Sequence, residues 1–121
     1  MSIESTIILE NISSPSQDLS AFTYTDKFKG TGYYRKASGV QTFQFDITDF
    51  KGSIIVQGTL ERYAGEADWI NLSFDSGDII APSDSTASSG AYVRNILGNW
   101  LWIRVGYVLE EGTIDLVRYN I

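Results

Sequence analysis

Apolar and polar residues alternate most clearly between Val40 and Asp75. In VQTFQFDITDF, residues Phe43, Phe45 and Ile47 fall on one face, and Thr42, Gln44 and Asp46 on the other. A period of two is the pattern of a half-buried strand. The next segment, SIIVQGTLER, is denser: Ile54, Val56 and Leu60 share one face and Ile55 takes the other. WINLSFD then sets Ile70, Leu72 and Phe74 on a single face. Lys51-Gly52, between the first two segments, predicts the tight turn of an antiparallel hairpin. This stretch is expected to form the centre of a β-sandwich.

Before it, Thr6–Glu10 reads as a short edge strand, and SSPSQ as a loop in which Pro15 stops any ladder. Residues 1–17 are therefore either an edge strand or an arm that packs on a neighbouring subunit, with residues 18–121 as one sandwich domain. DLSAFTYT (18–25) is a further strand, and the glycines of KGTG make a turn or bulge that feeds a short strand at Gly32–Arg35. Downstream, PSDSTASSG (82–90) carries no large apolar side chain and reads as a long surface loop suited to contacts. GAYVRNIL is a strand, Gly98-Asn99 a turn, and Trp100–Leu109 the most apolar strand; Glu110-Glu111-Gly112 turns the chain into a last strand from Thr113 to Ile121. That last strand holds a conflict, because Ile114 and Leu116 oppose Val117, Tyr119 and Ile121. Either both of its faces are covered, which the terminal isoleucine favours, or a bulge near Asp115 shifts the register. About eight strands with regular turns and no helical period predict an all-β, antiparallel sandwich of jelly-roll type, with a barrel as the alternative.

Composition narrows the chemistry. The 121 residues suit one domain with its own core. There is no cysteine, which excludes disulfides and thiolate metal sites, and no histidine, which excludes Ser-His-Asp and Cys-His catalysis within the chain. Nine basic against fifteen acidic residues give a net charge of −6. The basic ones are scattered, the densest group being Lys27, Lys29, Arg35 and Lys36, so nucleic-acid binding is not expected. The N-terminus lacks the basic start and apolar run of a secretory signal, no segment is apolar over the length of a bilayer, and no membrane partner is expected.

Candidate sites remain. Trp100, Trp102 and Arg104 alternate along the most apolar strand, where they could form a flat platform for sugar rings or pack inside the sandwich or an oligomer interface. Ser83, Asp84 and Ser85, in the polar loop, are a second possible interaction surface. Asp75, Gly77 and Asp78 could hold Ca²⁺, although Asp and Gly are ordinary turn residues. The pairs Asp46/Asp49 and Glu110/Glu111 have the composition of a glycosidase pair but sit at turns, and no catalytic residue is assigned. Asn11-Ile-Ser and Asn71-Leu-Ser match the glycosylation acceptor pattern by chance. No cofactor or metal site is expected.

The succession GSIIVQGTLE (52–61), EADW (66–69), a Ser/Thr-rich loop, and YVRNILGNWLWIRVGYVLEEGTIDLVRYNI (92–121) resembles small virion structural proteins of tailed bacteriophages. The likeness covers residues 40–121. It implies a jelly-roll-like domain without enzymatic activity that assembles on capsid, neck or tail with other virion proteins, after synthesis in the host cytoplasm. It also implies a homo-oligomer, a trimer if the domain sits in a fibre or decorates a capsid. The alternative expectation is a carbohydrate-binding module for host surface glycans.

Overall fold

A computed structural model of the protein describes residues 6–17, 20–34, 39–72 and 88–120. Among these residues the chain is all-β, as the alternation predicts. Its strands are β1 (Thr6–Ile12), β2 (Thr23–Tyr24), β3 (Phe28–Lys29), β4 (Val40–Thr59), β5 (Ile70–Leu72), β6 (Ser88–Leu97) and β7 (Trp102–Asn120), with one 3-10 turn at Glu66–Asp68. All the pairings are antiparallel and belong to one sheet.

Two predicted hairpins do not form. The Lys51-Gly52 and Glu110-Glu111-Gly112 signals fall opposite each other in the middle of two long strands that pair from Thr42↔Asn120 to Thr59↔Trp102. Instead of reversing the chain, each signal inserts an extra residue and bends the ladder, as bulges do. The register shifts between Thr48 and Lys51 and again between Lys51 and Gly52, where Glu111 and Leu109 are the partners. Asp49 (φ 49) and Gly112 (φ 85) supply the positive φ that the bend requires. A Cβ at Gly112 would collide with the Asp49 carbonyl, and one at Gly52 with the Val108 carbonyl. A Gly-polar pair looks the same locally whether it turns a hairpin or kinks a continuous strand, and the partner strand decides.

The bulges also set the parity of the core. Phe43, Phe45 and Ile47 are buried; one extra residue then brings Phe50 rather than Asp49 inward, followed by Ile54 and Val56. On β7 the order is Ile103, Val105 and Leu109, then Ile114, then Val117 and Tyr119. The step from Ile114 to Val117 is a bulge at Asp115, since Asp46 pairs with Leu116 and Ile47 with Ile114. The register conflict is thus resolved by the bulge and not by two covered faces. Thr48 Oγ1 donates to Asp115 Oδ2 at 2.6 Å, tying the two kinked strands together.

The bend lays the two halves of the sheet face to face. Phe28, on β3 of one half, packs its tilted ring 4.5 Å from that of Tyr119 and 6.2 Å from that of Phe43 on the other. Tyr119 closes this contact by donating its hydroxyl to the Lys29 carbonyl at 2.6 Å.

The N-terminal segment packs on its own chain. β1 pairs with β7 from Thr6↔Tyr119 to Ile12↔Ile114, and Ser16 exchanges bonds with Leu109 through N–H and Oγ. β2 and β3 continue down the same edge as far as Ile103 and Trp102. Residues 6–17 thus form an edge strand and its extension on the chain's own sheet. The short strand expected at Gly32–Arg35 is absent from the described part, since residues 31–34 form a turn in which Tyr33 N–H bonds the Gly30 carbonyl. The strand lies earlier, at Phe28–Lys29. On the opposite side of the sheet, β6 and β5 pair with β4. Buried Gln41 seals the adjoining turn by donating to the carbonyls of Ile96 and Gly98.

Candidate functional site

Strand alternation alone would put Trp100, Trp102 and Arg104 on one face, but the fold separates them. Trp100 precedes β7 and turns the other way, where it packs against the hydrophobic core. A Cβ on Gly58 would lie 2.8 Å from its ring, and its indole Nε1 donates to the Leu97 carbonyl at 3.1 Å. The Trp100–Trp102 platform therefore does not assemble. Trp102 and Arg104 do share the outward face of β7, opposite Thr59 and Gln57.

Arg104 is only 8% exposed although it lies on that outward face. Its guanidinium carbon sits 3.9 Å from the Tyr24 ring centroid and 4.5 Å from that of Trp69. Tyr24 reaches this position because Gly106 beside it has no side chain; a Cβ there would be 2.7 Å from the Tyr24 ring. Arg104 Nε donates to Gln57 Oε1 at 2.8 Å, and Gln57 Nε2 donates in turn to Asn71 Oδ1 at 2.8 Å. Glu66 completes the cluster with an ion pair at 3.4 Å, but its side chain is 86% exposed. A planar cation between two aromatic rings with its Nε satisfied is a packing anchor. It pins β2 and the 3-10 turn onto the central strands.

Beside this stack lies an open cleft of about 710 Å³, lined by Lys27, Gly32, Tyr33, Arg62, Tyr63, Leu101 and Trp102. Trp102 organises it. Its Nε1 donates to the Arg62 carbonyl at 3.2 Å and so holds the Arg62–Tyr63 turn. Lys27 Nζ lies 4.5 Å over its ring, and the Tyr33 ring is 5.2 Å away. A second cleft of about 740 Å³ continues past Lys27 along Tyr24, Asp26, Glu66, Trp69 and Arg104. The sequence reading missed Tyr24, Lys27, Tyr33, Arg62, Tyr63 and Trp69 as members of this face. The available signal was the interleaving of aromatic and basic residues in FKGTGYYRK and ERYAGEADW.

The other expected sites fare differently. Ser83, Asp84 and Ser85, and the Asp75, Gly77 and Asp78 turn, lie outside the described residues. Asp46 accepts a bond from Gln44 at 3.0 Å, and Asp49 is tied to Ser89 through its N–H at 2.9 Å. Asn71 is engaged by Gln57 within β5. Among the described residues no three Asp, Glu, His or Cys side chains converge as metal ligands, and no helix is long and apolar enough to cross a membrane. One group is strongly shifted: burial, and then the neighbouring Tyr34, push the Tyr119 phenol up to about 12.

No protein-family model matches the chain, and comparison with curated proteins and with solved structures finds no significant similarity.

Proposed function

We propose that this chain is a non-enzymatic structural subunit of a tailed-phage virion that assembles through contacts between subunits. The observation that carries the reading is the asymmetry of the sheet's two edges. The β7 edge is paired by described residues within 6–17 and 20–30 of the same chain. Along β4, among the described residues, β6 is paired on one side only, and it exposes Val93 (54%) and Leu97 (67%). Native proteins blunt long edge strands with charge, proline or a covering segment, because an open apolar edge pairs with another chain. A ten-residue edge strand with exposed aliphatic residues suits a protein whose work is to join others.

The resemblance to virion proteins supports the same reading. Three of the stretches that carry it meet in space: Gln57 of GSIIVQGTLE, Trp69 of EADW and Arg104 of the last stretch form one cluster. These residues are engaged with one another, which suits a scaffold. Mass spectrometry of purified particles tests the proposal, with the chain expected in stoichiometric amounts. Absence from mature virions would sink it. Light scattering reads the subunit number, and Val93→Lys is expected to lower it without unfolding the protomer.

A further inference from the structure

We infer that the cleft over Trp102 binds a carboxylate-bearing saccharide, with the acid group held by Lys27 and Arg62 and a sugar ring resting on Tyr63. The chain as a whole carries a net charge of −6, yet among the described residues two cations and three aromatic rings line this cleft and no carboxylate does. The acidic residues nearby, Asp26 and Glu66, line the neighbouring cleft instead. Among the described residues the ion pair of this face is Arg104 with Glu66, which leaves Lys27 and Arg62 without a carboxylate partner. Lys29 adds a further positive charge 4.5 Å over the outer part of the same face, at Tyr33.

The aromatic groups have distinct roles. Trp102 cannot offer its upper face to a sugar, because Lys27 already occupies it. It serves as a floor that fixes the ammonium above it and the Arg62 carbonyl beside it. Tyr63, 84% exposed with the Arg62 guanidinium carbon 5.7 Å from its ring centroid, is the ring a sugar can reach, and Tyr33, whose ring already carries Lys29, forms the facing wall. Flat rings that present a π face to C–H groups, together with one anchored charge, select a ring carrying an acid group over a neutral ring. A single nucleic-acid strand would also stack on tyrosines, but it needs a basic track along several phosphates, and this cleft has two cations within an acidic protein. The cleft and the β6 edge lie on different halves of the bent sheet. Failure of one proposal therefore leaves the other standing.

The test is calorimetric titration of the full chain with a trisaccharide ending in sialic acid, with tri-galacturonate, with lactose and with a short oligothymidylate, alongside amide chemical-shift mapping. At least one acidic saccharide is expected to bind about tenfold or more tighter than lactose. Tyr63→Ala, a change at an exposed side chain, and Lys27→Gln are each expected to weaken it by about tenfold, with shifts centred on Trp102. Three results would each overturn the proposal: no binding of either acidic saccharide up to about 10 mM, equal binding of lactose, or preference for the oligothymidylate. Saccharide binding that survives both substitutions would overturn the assignment to this cleft.

Discussion

Replacement of Arg104 by methionine separates the two interactions that could hold this residue. The guanidinium stacks between Tyr24 at 3.9 Å and Trp69 at 4.5 Å, and desolvated cation–π contacts contribute about 1–2 kcal/mol each. The 2.8 Å bond to Gln57 adds about 1–2 kcal/mol, since its loss leaves a buried amide oxygen unpaired. Against these stands the cost of burying a charge, which methionine avoids. The net expectation is a destabilisation of about 2–3 kcal/mol. The ion pair with the exposed Glu66 is held at 3.4 Å in solvent, so Glu66→Gln should cost about 0.5 kcal/mol or less. Arg104→Lys retains the charge but loses the planar stack and the Nε donor, and should cost nearly as much as methionine. Urea unfolding reads all three. With a slope of about 1.5 kcal/mol per molar, Arg104→Met should lower the midpoint by about 1.5 M. A lysine variant as stable as the wild type, or a Glu66→Gln variant as damaging as Arg104→Met, would refute the stacking argument and make the charge pair the anchor.

Other outcomes follow from the bend and the core. Gly112→Ala, at φ 85 and against the Asp49 carbonyl, should cost about 2 kcal/mol or more by thermal unfolding, beyond the 1–2 kcal/mol of a left-handed backbone alone. Phe45→Ala empties a fully buried site at the centre of the core and should cost about 3–5 kcal/mol in urea. Tyr119 gives a pH signature. Its phenol is raised from 10.0 to about 12 in the folded chain, so the unfolded chain loses this proton first and stability falls between pH 10 and pH 12. The fall amounts to roughly 2 kcal/mol in all. Tyr119→Phe should remove that alkaline loss while costing about 1 kcal/mol at neutral pH, because the Lys29 carbonyl loses its 2.6 Å donor.

Much of the core is legible along the chain. Phe43, Phe45, Ile47, Ile54, Val56, Ile103 and Val105 are all buried as the period of two requires. The bend is not legible, because it depends on Gly112 meeting the Asp49 carbonyl some sixty positions away, a fact with no local trace. The same holds for Trp100. Alternation groups it with Trp102, but β7 starts only after it, and Gly58 offers the space that draws its ring to the other face. In the sequence, Arg104 stands out for its aromatic neighbours Trp100 and Trp102. The rings that hold it are instead Tyr24 and Trp69, supplied by segments that approach only once β2 and the 3-10 turn have docked. β6 is legible as a strand but not as the edge it forms among the described residues, since an edge is defined by what fails to pair.

The joining of β4 and β7 into one bent pair has a kinetic consequence. Thr42 meets Asn120 and Thr59 meets Trp102, so every contact between the two central strands closes more than a third of the chain. While the polypeptide is being made, β4 can zip with β6, yet Phe43, Phe45 and Val56 stay uncovered until β7 emerges. Folding must then wait for a long-range search, which belongs to the millisecond-to-second regime of high contact order. β1 is affected in the same way, because its partner is the second half of β7. β1 is thus ordered only after β7, and for that interval the apolar face of β4 stays open to neighbouring copies.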